Sequence, residues 1–338
     1  MAIDPPAAEH AKWLAQTQED AIDPELPICD AHHHLWLDGG HTGSPYTLAD
    51  FHADTSTGHN VVRTVFLQCQ AEYRKDGPEH LRPVGETEFV ARMAQQSAGS
   101  GQAQITAIMA HADVASDTLT EALLAHEDAG CGLFRGIRYM TAQDPHPPLA
   151  MPASAAMDSA QYLAGIRKLG DLGYTYDAMV YHPQLHELAT VARACPDTTI
   201  VVDHLGGFLG TGPYKGRREE ILDHWRAGIK ALAASPNTYL KLGGIGMPMM
   251  GFRWDKQAQP PTSEELAKPW AEPINYAIEQ FGPERCMFES NFPVDKRGAS
   301  YTVLWNAFKR ITSKYSDEER RNLFHNSAAR AYRINTLV

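Results

Sequence analysis

The sequence predicts a (β/α)8 barrel forming a single domain, and three observations carry the prediction. Short apolar, β-rich runs alternate with longer helical patterns, as repeated βα units around a parallel sheet do. The runs number eight, the count that closes a barrel. A chain of 338 residues also accommodates a barrel of about 250 residues with decorated loops.

Residues 1–26 read as an extension, with a short helix around Trp13 and Leu14 broken at Asp23-Pro24. The barrel is assigned to 27–338. Its strands are predicted at 27–31, 63–68, 105–110, 133–139, 176–181, 199–203, 238–242 and 285–289. Spacings of roughly 25 to 50 residues leave room for a helix after each, and helical patterns stand at 86–97, 117–129, 184–195 and 219–234. Two amphipathic segments, 301–313 and 316–331, close the outer layer. The stretch 243–261 holds four glycines, three prolines and three methionines without periodicity. It reads as a lid following the seventh strand, with Trp254 and Trp270 contributing to the cover over a small ligand.

Composition excludes several function classes. A hydrophobic fraction of 43% with 21% charged residues is that of a globular protein with a substantial core. The net charge of -11 opposes general binding to nucleic acid or to anionic membranes, both of which need a positive field. No apolar run approaches the ~18 residues that span a bilayer, and no leader pattern stands at the start, so the expectation is a cytoplasmic protein, with a homo-oligomer left open. Five scattered cysteines without a C-x-x-C pair give neither a disulfide frame nor a thiolate metal site.

Barrel chemistry gathers where strands end and βα loops open. The first strand ends in Asp30-Ala31-His32-His33-His34, the second in Gln68, the third in His111, the fourth in Arg138-Tyr139, the fifth in Tyr181-His182, the sixth in Asp203-His204 and the eighth in Glu289-Ser290-Asn291. Strand side chains alternate, so His32 and His34 share a face and His33 takes the other. Such a pair, joined by His204, can hold a divalent ion or bind a carbonyl group directly. His182 is a candidate fourth imidazole, with turn capping beside Pro183 as the plainer alternative. Arg138 is a candidate anion clamp, against a salt bridge to a carboxylate such as Glu289. Arg253 is a weaker candidate for the same charge, Gln68 and Tyr139 are candidate substrate contacts, and Asp30 is expected to support the histidine pair from behind.

These residues resemble the amidohydrolase-2 family, particularly its lactonase branch, which includes 2-pyrone-4,6-dicarboxylate lactonase and sugar-acid lactonases. The resemblance rests on Ile28-Cys29-Asp30-Ala31-His32-His33-His34-Leu35-Trp36, Phe134-Arg135-Gly136-Ile137-Arg138, Val202-Asp203-His204-Leu205-Gly206-Gly207 and Phe288-Glu289-Ser290-Asn291-Phe292-Pro293-Val294-Asp295. It implies a (β/α)8 fold and hydrolysis of lactone or ester carbonyls, with His32, His34 and His204 polarising the carbonyl or holding a metal. In the family the eighth strand ends in Gly-Ser-Asp, and that aspartate activates water. Asn291 stands at its position here, and a carboxamide cannot accept a proton as a carboxylate does. Glu289, Asp295 and the histidines are the remaining candidates for the base.

The leading expectation is therefore a lactonase-like hydrolase of a small anionic or aromatic-derived substrate, with His32, His34, His204 and Asn291 as its catalytic set. Those three histidines are also the candidate ligands of a divalent metal, zinc first, beside a metal-independent alternative in which they bind the carbonyl alone. A lyase that decarboxylates an aromatic acid or cleaves a carbon-carbon bond is the second reading. A non-catalytic ligand-binding barrel is the third.

Overall fold

The computed structural model describes residues 7–146, 149 and 155–335. Eight strands, β1 (Ile28–His33), β2 (Val61–Leu67), β3 (Gln104–Ala110), β4 (Phe134–Met140), β5 (Thr175–Met179), β6 (Ile200–Val202), β7 (Thr238–Leu242) and β8 (Cys286–Phe288), run in that order. Each neighbouring pair is parallel. The last gap is bridged just past β8, where Asn291 N donates to His32 O at 2.8 Å and His34 N to Phe292 O at 2.8 Å. This is a (β/α)8 barrel, and every predicted strand falls within a few residues of an observed one.

Alternation sorts the core into two layers. Val65, Leu67, Ala107, Met109, Val201 and Met287 pack together inside the barrel. Their neighbours Ile200, Val202, Leu240, Leu242 and Phe288 pack outward against the helices. The four predicted intermediate helices are observed as Val84–Ser97, Leu119–Ala129, Leu185–Ala194 and Arg218–Ala233.

The prediction missed the longest helix, Ser263–Phe281, which contains Pro269 and Pro273. Proline at 273 removes the N–H that would reach the carbonyl of Pro269. Arg218 Nη2 donates to that carbonyl instead, at 3.1 Å, so the helix continues through its breakers. Trp270 lies in this helix and is buried in the core, which corrects its assignment to the lid. The lid segment itself is irregular, with single turns at Pro248–Met250 and Trp254–Lys256. The helix Ala7–Leu14 and the chain after it tie onto this segment: Trp13 Nε1 donates to Gln257 O at 3.1 Å, Thr17 Oγ1 to Pro260 O at 2.7 Å, and Ser263 N to Glu19 Oε1 at 2.7 Å.

One buried carboxyl fixes the loop after β2. Glu86 Oε1 accepts from Cys69 N at 2.9 Å and Ala71 N at 2.8 Å. Burial pushes its pKa from an ordinary 4.5 to about 7, although those two N–H groups pull it down. A carboxyl whose folded pKa is raised destabilises the fold progressively as pH climbs from the unfolded value through the folded one. Glu86→Gln keeps the acceptor and removes the charge, so its stability relative to the parent should rise between pH 4.5 and 8.5, by about 1–3 kcal/mol at the upper end. Urea unfolding at both pH values checks this; an equal difference at the two ends contradicts it.

Candidate active site

The first strand does more than alternate. Cys29 and Ala31 belong to the barrel interior, while Asp30 faces outward, its Oδ2 accepting from Tyr301 OH at 3.0 Å. The β1–β2 register is irregular between Asp30 and His33, and an irregularity of this kind re-aims the side chains beyond it. His33 accordingly stacks on Phe51 outside the barrel, with ring centroids 4.1 Å apart. His32 and His34 turn inward with their Nε2 atoms 3.2 Å apart. Asp30 supports this arrangement through backbone, its Oδ1 accepting from His32 N at 3.3 Å and Ser290 N at 2.8 Å.

The sixth strand uses another device. His204, Leu205, Gly206 and Gly207 have φ of 53°, 52°, 72° and 64°, a left-handed turn that glycines adopt freely and that strains the two L-residues by about 1–2 kcal/mol each. A Cβ on Gly207 would stand 1.9 Å from Val180 O, and one on Gly244 would stand 2.4 Å from His204 Nδ1. The first close approach packs the turn against the end of β5, and the second places the His204 ring against the lid. The turn also lets consecutive residues, Asp203 and His204, serve the same interior, since the His32 and His204 rings lie 4.5 Å apart.

Each imidazole is anchored at Nδ1. His34 Nδ1 donates to Leu67 O at 2.8 Å, and His204 Nδ1 to Glu289 Oε1 at 2.8 Å. His32 Nδ1 lies 2.8 Å from Glu289 Oε2, an electrostatic contact off the line of a hydrogen bond, and 3.3 Å from Lys241 Nζ. Beneath the rings runs a buried charge network. Lys241 Nζ donates to Asp177 Oδ2 at 2.7 Å and Asp203 Oδ1 at 2.9 Å, Arg138 Nε to Asp203 Oδ2 at 3.0 Å, and Tyr332 OH to Asp177 Oδ2 at 2.8 Å. Three carboxylates, Asp177, Asp203 and Glu289, thus meet two fixed cations.

Burial is the largest influence on His32, His34, Glu289, Asp203, Asp177 and Lys241, and their partners decide the outcome. It lowers His32 to about 4, helped by Lys241 and opposed by Glu289, and it lowers His34 well below the usual value, helped by the charges of His32 and Arg138. It would raise Glu289 and Asp203, but His204 and His32 for the first, and Lys241 for the second, reverse the direction and hold both low. Asp177 stays up at about 6 despite Lys241. Burial would depress Lys241, yet Asp177, Asp203 and Glu289 hold it above its ordinary value.

The residue set fits a small divalent ion. The 3.2 Å between the His32 and His34 Nε2 atoms is close to the roughly 3.3 Å that two imidazoles on one tetrahedral zinc take. Among the described residues, His32, Asp203 and His204 bring ligand atoms within 4.8 Å of one another. Asp203 has both oxygens committed to Lys241 and Arg138, which leaves His34 the better third ligand. The same atoms also form a chain without an ion. Lys241 can donate to His32 Nδ1, which places a proton on His32 Nε2 facing His34 Nε2.

The other expected residues divide. Arg138 pairs with Asp203 rather than Glu289 and gives Nη1 to Gln68 O at 3.1 Å. Gln68 donates to Tyr73 OH at 3.1 Å and leaves Oε1 buried without a partner. Tyr139 donates to Asp113 Oδ1 at 3.2 Å and stacks on His111. His182 is buried with Nδ1 unpartnered; its ring neighbours are Phe208, Tyr214 and His224, not the three site imidazoles. Arg253 is half exposed on the lid and faces Asp255. Sequence reading missed Lys241 and Asp177 altogether. Their signal was a single charge inside an otherwise apolar or aromatic strand, opposite in sign and both in the inward phase.

Comparison with known proteins agrees with this architecture. The sequence model of the amidohydrolase family matches residues 29–334. An uncharacterized protein of Sinorhizobium fredii is 30% identical over 331 residues, covering 92% of this chain and 99% of its own. L-fucono-1,5-lactonase of Burkholderia multivorans is 27% identical over 250 residues, 74% of this chain and 77% of its own. The crystal structure of a zinc-bound amidohydrolase from Burkholderia multivorans superposes with a TM-score of 0.70 at 22% identity, covering 90% of this chain and 99% of the other.

Lys241 is the network's testable member. Lys241→Met leaves Asp177 and Asp203 buried without the ammonium between them, and should destabilise the protein by about 3–5 kcal/mol in urea unfolding. Adding Asp177→Asn to the same chain should recover part of that loss, whereas a loss below about 1 kcal/mol would show that the network carries no such strain.

Proposed function

The chain belongs to the amidohydrolase family, and from that premise we propose that it hydrolyses a neutral, hydroxyl-bearing lactone, the internal ester of a sugar acid, at the histidine-lined mouth of the barrel. The observation that carries the reading is the anchoring of the imidazoles. Leu67 O and Glu289 fix the Nδ1 side of His34 and His204, and Glu289 touches that of His32. Nε2 is then the atom each offers to a ligand.

His32, His34 and His204 would hold a divalent ion, with zinc suited to an all-imidazole set; bound there, it would supply Lewis acidity toward the lactone carbonyl. The protein's own groups do the rest. With Lys241 donating to His32 Nδ1, His32 presents N–H at Nε2, a donor for the carbonyl oxygen that needs no ion. Asn291, 1% exposed and bonded through its backbone N to His32 O, orients the water. The buried mouth excludes bulk solvent from the reacting carbonyl.

Arg138 favours a neutral substrate over the anion expected from the sequence. Asp203 already balances its charge, and two of its donor atoms are committed. Its remaining amino group suits a hydroxyl or carbonyl. Among the described residues, Gln68 Oε1, His182 Nδ1 and Asn291 Oδ1 are buried without partners, and ligand hydroxyls would satisfy such atoms. The Burkholderia multivorans relative is named for a lactone of this neutral class.

A panel of aldonolactones, with an aromatic lactone dicarboxylate as the contrast, tests the proposal in the presence and absence of Zn2+ or Mn2+. Hydrolysis of the neutral lactones, with kcat/KM lowered at least about 100-fold in His204→Ala, is the expected result. A panel left untouched under all conditions defeats it. Water labelled with 18O should enter the product acid; a labelled-water experiment with product formed but no incorporation would instead favour carbon-carbon cleavage.

A further inference from the structure

The loop after β8 contains a buried carboxyl that takes no part in anchoring the imidazoles. Asp295 is 3% exposed. Its Oδ1 accepts from Asn291 Nδ2 at 3.0 Å and its Oδ2 from Gly246 N at 3.0 Å, while Asp295 N donates to Asn291 O at 3.1 Å. Among the described residues, no lysine or arginine forms a salt bridge with it; the neighbouring Lys296 is turned onto Asp54. A buried carboxylate held by two neutral donors, without a cation, is an expensive arrangement for a loop tie alone.

Asn291 is set in the opposite sense. Its backbone N is bonded to His32 O, its φ is 53°, and its Nδ2 is spent on Asp295. That bond fixes the amide orientation and leaves Oδ1, buried and unpartnered, as a free acceptor. An acceptor carried on a residue whose backbone bonds His32 is suited to one O–H of a water. A carboxylate joined to the same amide, with a lone pair remaining on each oxygen, is suited to the other.

We propose that Asn291 and Asp295 together replace the single carboxylate of a lactone hydrolase: Asn291 Oδ1 holds the attacking water and Asp295 accepts its proton. The proposal rests on the hydrolase reading above. As the water oxygen bonds to the lactone carbonyl carbon, one water proton passes to Asp295. When the tetrahedral intermediate collapses, the ring C–O bond breaks and that proton passes to the departing ring oxygen. The products are the open hydroxy acid and the regenerated carboxylate, with no further reactant. Burial, eased by His204, holds Asp295 near 7, where a carboxyl can both take and return a proton in neutral solution.

Glu289 is not available for this task, because it is committed to His204 and His32. Gly246 completes the dyad from the lid: a Cβ there would lie 3.0 Å from the Asp295 carboxyl. Lid placement and the proton acceptor are therefore joined through one backbone N–H.

Exchanging the two groups tests the dyad. Asp295→Asn should lower kcat on the lactone about 100- to 10,000-fold, with KM and the thermal midpoint little changed. The double variant Asn291→Asp, Asp295→Asn returns a carboxylate to the strand end and keeps an amide-carboxylate hydrogen bond between the two positions, so it should regain at least about tenfold of that loss. In the parent, kcat/KM should fall on acidification through about pH 7, and this limb should vanish in the residual activity of Asp295→Asn. A parent inactive on every lactone defeats the preceding reading. A parent that cleaves lactones while Asp295→Asn cleaves them equally well, or while the double variant is no better than Asp295→Asn, overturns the dyad alone.

Discussion

The Glu289 carboxylate is the interaction on which the site depends. Its Oε1 accepts hydrogen bonds from His204 Nδ1 and from the His204 backbone N–H, and its Oε2 lies against His32. It therefore joins the end of β8 to side chains from the ends of β1 and β6, strands far apart in sequence. A carboxylate fully removed from water is tolerated only where hydrogen bonds and opposing charge replace the lost hydration. Here the histidines and Lys241 supply that replacement, and in return the histidines acquire fixed positions. The left-handed turn at His204 is strained locally and persists because this anchor and the glycines beside it determine the geometry.

Most of the barrel was legible because parallel strands buried on both faces leave strong apolar runs, and His32, His34 and His204 were legible because polar residues concentrate where such runs stop. What escaped has physical reasons. Alternation alone puts Asp30 on the same face as His32 and His34; the register irregularity after Asp30 reverses this, and nothing in the identity of Ala31 announces it. Lys241 was missed because its two carboxylate partners, Asp177 and Asp203, lie 64 and 38 residues away. The helix Ser263–Phe281 was hidden by two prolines, and the carbonyl that Pro273 leaves without its helical donor is taken up by Arg218, an arginine from another helix. In each case the deciding partner is distant in sequence.

Access to the site adds a dynamic requirement. His32, His34, His204, Asn291 and Asp295 are all buried, so a substrate can reach them only if part of the cover moves. The segment following β7 is the cover nearest to them, since Gly244 abuts His204 and Gly246 bonds Asp295. Its distal part is tied by Trp13, Thr17 and Glu19 from the N-terminal segment. These ties hold residues 257–263, whereas the portion between β7 and Gly251 is irregular and rich in glycine.

The departure at Asn291 then has an electrostatic logic. Among the described residues, the cluster beneath the imidazoles already places Asp177, Asp203 and Glu289 against two fixed cations, Lys241 and Arg138. A further carboxylate at 291 would add negative charge directly beside this excess, where little solvent remains to screen it. A carboxamide at that position supplies an acceptor without the charge. Moving the carboxyl to Asp295, four residues on and bonded through the amide, separates it from the excess while keeping it within one hydrogen bond of the same place. The division lets one side chain position water and another exchange its proton, and it allows the second to be held near neutrality while Glu289 remains fully ionised.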